Sequence, residues 1–108
     1  MKRIINLTPH NVNIYKNDEI FIRIAPEDVP ARVSFKNVTV DDLDGIPVSK
    51  IVYSDIKGLW PQREDTIYIV SRMVADRCPD RQDLFVPNDF VKDEYGNTIG
   101  CRSLTKIW

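Results

Sequence analysis

Four arginines stand where a guanidinium group could meet a phosphate. Arg32 begins a strand-like run after a proline-containing loop, Arg77 and Arg81 bracket the end of a short predicted helix, and Arg102 lies in the last strand-like run. An arginine fork binds phosphate oxygens through two parallel hydrogen bonds. Each arginine is equally suited to a surface ion pair, which contributes little stability. The arginines are therefore candidates for an anionic ligand, and the structural alternative stays open.

A ring and an amide stand close together near the C-terminal end of the chain. Phe85 and Phe90 flank Pro87 and Asn88. An aromatic ring in a loop can stack on a nucleotide base, and a neighbouring amide offers the base both a donor and an acceptor. The alternative is that both rings fill the core beneath the loop. Phe85 and Asn88 are thus candidates for binding a base.

The one histidine of the chain lies in the stretch INLTPH, residues 5–10. Thr8 and His10 flank Pro9 between two strand-like runs, and turn residues of this kind commonly hydrogen-bond nearby backbone groups. We favour a structural corner, because His10 shares the face of Val12 and Ile14 if the following strand already includes it. The alternatives are that Thr8 and His10 contact a ligand, or that His10 is a general acid or base.

The common catalytic and metal-binding signatures are missing from the sequence. There is no GxSxG, Walker loop, HExxH or calcium-loop pattern, so the sequence predicts no catalytic residue, no metal site and no cofactor. Cys78 and Cys101 have no CxxC spacing and are predicted to be free thiols. The acidic residues Asp41, Asp42 and Asp44 are predicted to form a solvated turn.

Size and charge limit the class of protein. The 108 residues suit a single domain, residues 1–108, and the 43% hydrophobic content is enough for a core. A formal net charge of −1 with no basic cluster argues against DNA binding that rests on phosphate neutralisation. No run approaches 18 apolar residues and no signal peptide is recognisable, so we expect a cytoplasmic protein that does not enter a membrane.

Alternating apolar residues recur along nearly the whole chain, which is the period of half-buried strands. Residues 11–25 are predicted to form a hairpin, and the run TIYIV at 66–70 is the strongest strand signal. Ser71 is predicted to be the N-cap of a helix at residues 72–78, which Pro79 ends. The predicted fold is mainly β: a small antiparallel β-sandwich or open barrel with one short helix.

Several segments of the chain resemble small proteins encoded by phages and prophages. They are INLTPH at 5–10, ARV at 31–33, DGIPV at 44–48, TIYIVSRMVA at 66–75 and VKDEYGNTIGCRSL at 91–104. They occur in the same order over nearly the whole chain. The group is similar to the phage anti-defence proteins that counter the Thoeris system. The resemblance implies a protein that binds and sequesters a cyclic ADP-ribose signal in the cytoplasm of the infected bacterium without cleaving it.

The resemblance also implies the ligand contacts and the assembly. Arginines would bind the pyrophosphate, for which the candidates are Arg32 and Arg102. An aromatic ring with an amide would bind the adenine, for which the candidates are Phe85 and Asn88, with Thr8 and His10 as second choices. We expect a homo-oligomer, either a dimer or a larger assembly such as a hexamer, with pockets between protomers.

Two other functions remain open at this stage. One is an interaction protein of the virion or of host takeover that has no small ligand. The other is an enzyme that degrades the nucleotide signal with His10 as its general acid or base.

Overall fold

A computed structural model describes residues 2–108, and these residues confirm the mainly β class, with 52% strand and 5% helix. The one helix within the described range is too short and too polar to cross a membrane. In chain order the elements are β1 (Arg3–Asn6), β2 (Val12–Lys16), β3 (Glu19–Ile24), β4 (Phe35–Leu43), β5 (Ile46–Tyr53), β6 (Thr66–Ile69), α1 (Arg72–Asp76), β7 (Leu84–Lys92) and β8 (Thr98–Thr105).

Six strands form one sheet in the order β1-β6-β7-β8-β2-β3. The pairs β1–β6, β6–β7 and β8–β2 are parallel, and β7–β8 and β2–β3 are antiparallel. The sheet is therefore mixed, whereas the sequence predicted antiparallel pairing. Alternating apolar residues indicate which face of a strand is buried, but they do not identify the neighbouring strand. The relative direction of paired strands could therefore not be predicted from the pattern.

The sheet curls until its two edge strands meet at Asn6. A parallel bridge joins Asn6 to Pro26, just after β3, and the Glu27 amide donates to the Asn6 carbonyl at 2.9 Å. On the other side, Leu7 N–H donates to the Ile69 carbonyl at 2.8 Å. The end of β1 therefore links β6 to the segment that follows β3, which gives the sheet the shape of an open barrel.

The main core lies between one face of the sheet, helix α1 and the loops around Ala31 and Trp60. Tyr68 is fully buried there and its hydroxyl donates to the Pro61 carbonyl at 2.7 Å. Ser71 is the N-cap of α1, as predicted, and its side chain accepts a hydrogen bond from Val74 N–H; the helix ends at Asp76, two residues before the predicted end. The buried residues of this core are Ile5, Leu7, Ala31, Tyr68, Val70, Val74, Ala75, Leu84 and Val86.

The hairpin of β4 and β5, residues 35–53, projects from the body and is here called the arm. Strand β4 is exposed along its whole length, and β5 is exposed except at two half-buried residues. The turn uses Asp44 and Gly45, both at positive φ, as a two-residue hairpin turn requires. Asp42 accepts a hydrogen bond from Gly45 N–H at 3.0 Å, so this acidic residue supports the turn.

Strands β2 and β8 approach closely because Gly100 has no side chain. A Cβ at this position would lie 2.6 Å from the Asn13 carbonyl oxygen and 2.5 Å from the Tyr15 ring. The strands share one parallel register pair, Ile14 with Cys101, and the Asn13 amide donates to the Ile99 carbonyl at 3.2 Å. This narrow contact attaches the β2–β3 hairpin to the rest of the sheet.

We expect Gly100→Ala to lower the free energy of unfolding by about 1–3 kcal/mol, because the added methyl group would push β2 away from β8. Urea denaturation followed by circular dichroism measures the change. Thr98→Ala, an exposed position on the same strand, is the matched control. Equal urea midpoints for the two variants would show that the added methyl group at position 100 does not destabilise the fold.

Candidate functional site

A concave pocket of about 930 Å³ opens on one side of the curled sheet. Its walls come from β2, β3, β7 and β8, from the residues that precede β2, and from the start of α1. Its floor includes the buried side chains of Val12, Val86 and Cys101. The volume lies within the range of pockets that bind small molecules, roughly 300–1,000 Å³.

The charged residues that line this pocket are both arginines. Arg23 comes from β3 and Arg72 from the first turn of α1, and His10 adds an imidazole from the segment before β2. None of the lining residues that the structure describes is Asp or Glu, although the chain has 16 of them. Arg72 Nε lies 3.0 Å from the Asp76 carboxylate in an exposed ion pair, a weak contact that a ligand anion can replace.

Aromatic and polar side chains complete the lining. Phe90 on β7 is 53% exposed although it is a large apolar residue, and Tyr15 on β2 is half-buried. Thr8, Ser71 and Thr98 add hydroxyl groups to the wall. The pocket therefore offers two arginines for an anion, the exposed Phe90 ring for a planar group and hydroxyls for further hydrogen bonds.

Asn13 brings an unsatisfied oxygen to the same wall. Its amide nitrogen donates to the Ile99 carbonyl, while its Oδ1 is inaccessible to solvent and has no hydrogen-bond partner among residues 2–108. A buried acceptor without a donor is unfavourable. Asn13 therefore leaves one buried acceptor unpaired behind the wall of the pocket.

The INLTPH segment is organised by Asn6. The Asn6 amide group donates to the His10 carbonyl at 2.8 Å and to the Ile24 carbonyl at 2.9 Å. Its Oδ1 accepts from Thr8 N–H at 2.9 Å and from the Thr8 hydroxyl at 2.6 Å. The backbone around Thr8 and His10 thus forms the structural corner that the sequence predicted, and residues Thr8 and His10 also line the pocket.

The other candidates from the sequence lie elsewhere and are not brought together with Thr8 and His10. Arg32 lines a separate cavity of about 550 Å³ at the root of the arm. Phe85 and Asn88 lie in strand β7 and not in the loop that the sequence predicted. The Phe85 ring packs edge-on against Trp108, with 5.2 Å between ring centroids. The Asn88 amide donates to the Ser103 hydroxyl at 3.2 Å, and Arg102 lies 3.6 Å from the Asp89 carboxylate.

The two arginines beside the helix hold parts of the fold together. Arg81 binds both carboxylate oxygens of Asp83 at 2.8 Å and donates to the Trp60 carbonyl at 3.0 Å. The hydrogen bonds to Asp83 raise the pKa of Arg81 above its ordinary value. Arg77 stacks on the Tyr53 ring at 4.0 Å, at the root of the arm. Both guanidinium groups therefore have structural partners.

Sequence reasoning missed Arg23 and Arg72 as candidates for the pocket. Arg23 lies in an ordinary strand pattern and Arg72 one residue after a helix N-cap, so neither position suggested a ligand. Phe90 was noted only as a ring beside Asn88. The curl of the sheet and the start of the helix bring these three residues to one pocket, and no local pattern encodes that curl.

Cys78 and Cys101 are free, as predicted, and burial raises the pKa of both thiols. Among the residues described, no group of three or more His, Cys, Asp or Glu side chains could hold a metal ion. Comparison of the chain with models of known protein families, with curated proteins and with solved structures found no match.

We expect Asn6→Asp to lower the free energy of unfolding by about 3 kcal/mol, because a buried carboxylate would face the His10 and Ile24 carbonyls that now accept hydrogen bonds. Thermal and urea denaturation measure the loss. Asn11→Asp places the same charge on an exposed residue nearby and should change stability by less than about 0.5 kcal/mol. Similar losses in both variants would mean that the Asn6 amide does not hold the corner.

Proposed function

We propose that this protein binds and sequesters a cyclic ADP-ribose-type nucleotide, without cleaving it, in the concave pocket. The observation that carries the proposal is the charge of the pocket lining, which comes from the two arginines Arg23 and Arg72, with no carboxylate among the described lining residues. In a chain with a net charge of −1, this local bias favours a small anionic ligand. A local pocket needs no basic charge over the rest of the protein.

The other lining groups support a nucleotide over a simple anion. The exposed Phe90 ring offers a stacking surface of the kind that bases use. Hydroxyls of Thr8, Ser71 and Thr98 suit the hydroxyl groups of ribose. The volume of about 930 Å³ is large enough for a base, its sugars and two phosphates.

Sequestration acts through mass action and needs no turnover. Free signal falls when the binding sites outnumber the nucleotide and the dissociation constant is nanomolar, which corresponds to about −12 kcal/mol. The INLTPH, YIVS and GCRSL segments resemble small phage-encoded proteins, a group similar to the Thoeris anti-defence proteins. The biological role that we propose on this basis is the blocking of Thoeris-like signalling in the infected host.

The test is isothermal titration of the protein with cyclic ADP-ribose isomers, followed by heating and chromatography of the released ligand. Tight binding with intact ligand is the expected result. Release of an altered nucleotide would instead support an enzyme with His10 as general acid or base. Absence of heat with these isomers and with cyclic di- and trinucleotides would contradict the proposal.

We expect Arg23→Ala and Arg72→Ala each to weaken nucleotide binding by about 10- to 100-fold, because each loses a charge-assisted contact. Their unfolding midpoints should stay near that of the parent chain, since both side chains are exposed. Arg3→Ala, an exposed arginine outside the pocket, is the control.

The Arg102→Ala variant distinguishes two candidate binding sites: the concave pocket and the site around Arg102 that the resemblance implies. Because Arg102 lies at Asp89, outside the pocket lining, we expect its removal to leave affinity within about threefold of the parent. Loss of binding in Arg102→Ala with retained binding in Arg23→Ala would move the site to the β7–β8 surface and contradict the pocket.

A second candidate is an interaction protein without a small ligand, as in structural or host-takeover proteins of phages. The exposed apolar residues of the arm favour this alternative. It predicts no nucleotide binding in the titration.

A further inference from the structure

The chain exposes far more surface than a folded monomer of its mass. Its accessible area is 7906 Å². A compact monomer of 12.5 kDa exposes about 6,200 Å², so the excess is about 1,700 Å². The radius of gyration, 16.9 Å, likewise exceeds the roughly 13 Å expected for this length. Each partner in a stable complex buries about 800 Å² or more, so the excess is large enough for a permanent interface.

The arm accounts for the excess accessible area and for the large radius of gyration. The register pairs Leu43 with Ile46 and Val38 with Lys50, and opposite residues of an antiparallel pair share a face. One face of the arm therefore carries Val38, Leu43, Ile46, Val48 and Val52. Ile46 is 66% exposed and Leu43 is 59% exposed. An isolated two-stranded hairpin is marginally stable in water, so this apolar face needs a covering surface.

The body of the same chain does not cover the arm, because contacts hold only its root. Below the arm, its two chain segments pair with each other: Arg32 and Lys57 exchange two backbone hydrogen bonds of 2.8 Å, and Ser54 N–H donates to the Ser34 carbonyl at 2.8 Å. Ala31 N–H joins this root to the body by donating to the Leu7 carbonyl at 2.9 Å. Arg77 stacks on Tyr53 at the end of β5. These contacts fix the arm at its base and leave the face towards its tip exposed.

We propose that the arm is a self-association surface, and that the apolar face of one arm packs on the same face of a second copy. The charges on this face favour a second copy in antiparallel orientation. Lys36 and Lys50 lie towards the root, and Asp41 lies nearer the tip. A two-fold axis brings the basic end of each arm over the acidic end of the other, as a self-complementary interface requires. None of the arm residues lines the concave pocket, so the inference is independent of the proposed function.

The first experiment is sedimentation velocity of the full chain at micromolar concentrations. The parent should be a dimer or a multiple of a dimer. Leu43→Thr combined with Ile46→Thr should raise the dissociation constant by at least about 100-fold, because it removes the two most exposed apolar side chains of the face, at the tip of the arm, while keeping good strand formers. Unchanged circular dichroism of the variant will show that the body still folds.

Phe21→Thr is the matched control, since Phe21 on the free edge of β3 is also 66% exposed. It should leave association unchanged. Dissociation by Phe21→Thr with retained association in the arm variant would overturn the proposal. A monomeric parent chain would overturn it too, and a monomer that floats with anionic phospholipid vesicles would assign the arm to a membrane surface instead.

Charge reversal tests the orientation of the two arms. Lys50→Glu should weaken the dimer, because it would place a carboxylate near Asp41 of the second copy. The double variant Lys50→Glu, Asp41→Lys should restore association to near the parent value. Failure of the double variant to recover while its circular dichroism matches the parent would overturn the antiparallel arrangement.

Discussion

The fold depends on one buried asparagine. Asn6 is 1% exposed, and its side chain uses both amide hydrogens and both acceptor positions of its oxygen within the protein. Its backbone carbonyl accepts a further bond from Glu27 N–H. A buried polar group stabilises a structure only when it is fully hydrogen-bonded, and a fully bonded one permits few alternative arrangements. Asn6 therefore determines where the edge strands of the curled sheet meet.

The candidate site follows from this closure. The hydrogen bonds of Asn6 hold the Thr8–His10 backbone at the rim of the pocket, and its bond to the Ile24 carbonyl holds the end of the strand that carries Arg23. The close contact at Gly100 brings β2 against β8 and so forms the wall between them. Basic side chains from three separate segments of the chain therefore line one pocket. The arm projects away from the body and contributes no residue to this pocket.

Much of the local structure could be predicted from the sequence. Period-two alternation identified the strands, and their β class is confirmed. The Ser71 cap and the start of α1 were predicted because capping depends on neighbours within three residues. A turn was predicted over residues 41–45, but Asp41 and Asp42 belong to β4 and only Asp44 and Gly45 form the turn, because these two adopt its left-handed backbone. The corner in INLTPH was likewise predicted, although Asn6, which holds it, was not identified.

The sequence by itself determined strands, turns, one helix cap and the lack of familiar catalytic motifs, because these depend on residues within a few positions of one another. Only the tertiary structure decided the strand order and direction, since alternation specifies a buried face and not a neighbour. The same holds for the pocket. Phe85 packs on Trp108 and Arg102 lies beside Asp89, both outside the pocket. Arg23 and Phe90 line the pocket instead. The curl of the sheet, and not the distance along the sequence, determines which side chains meet.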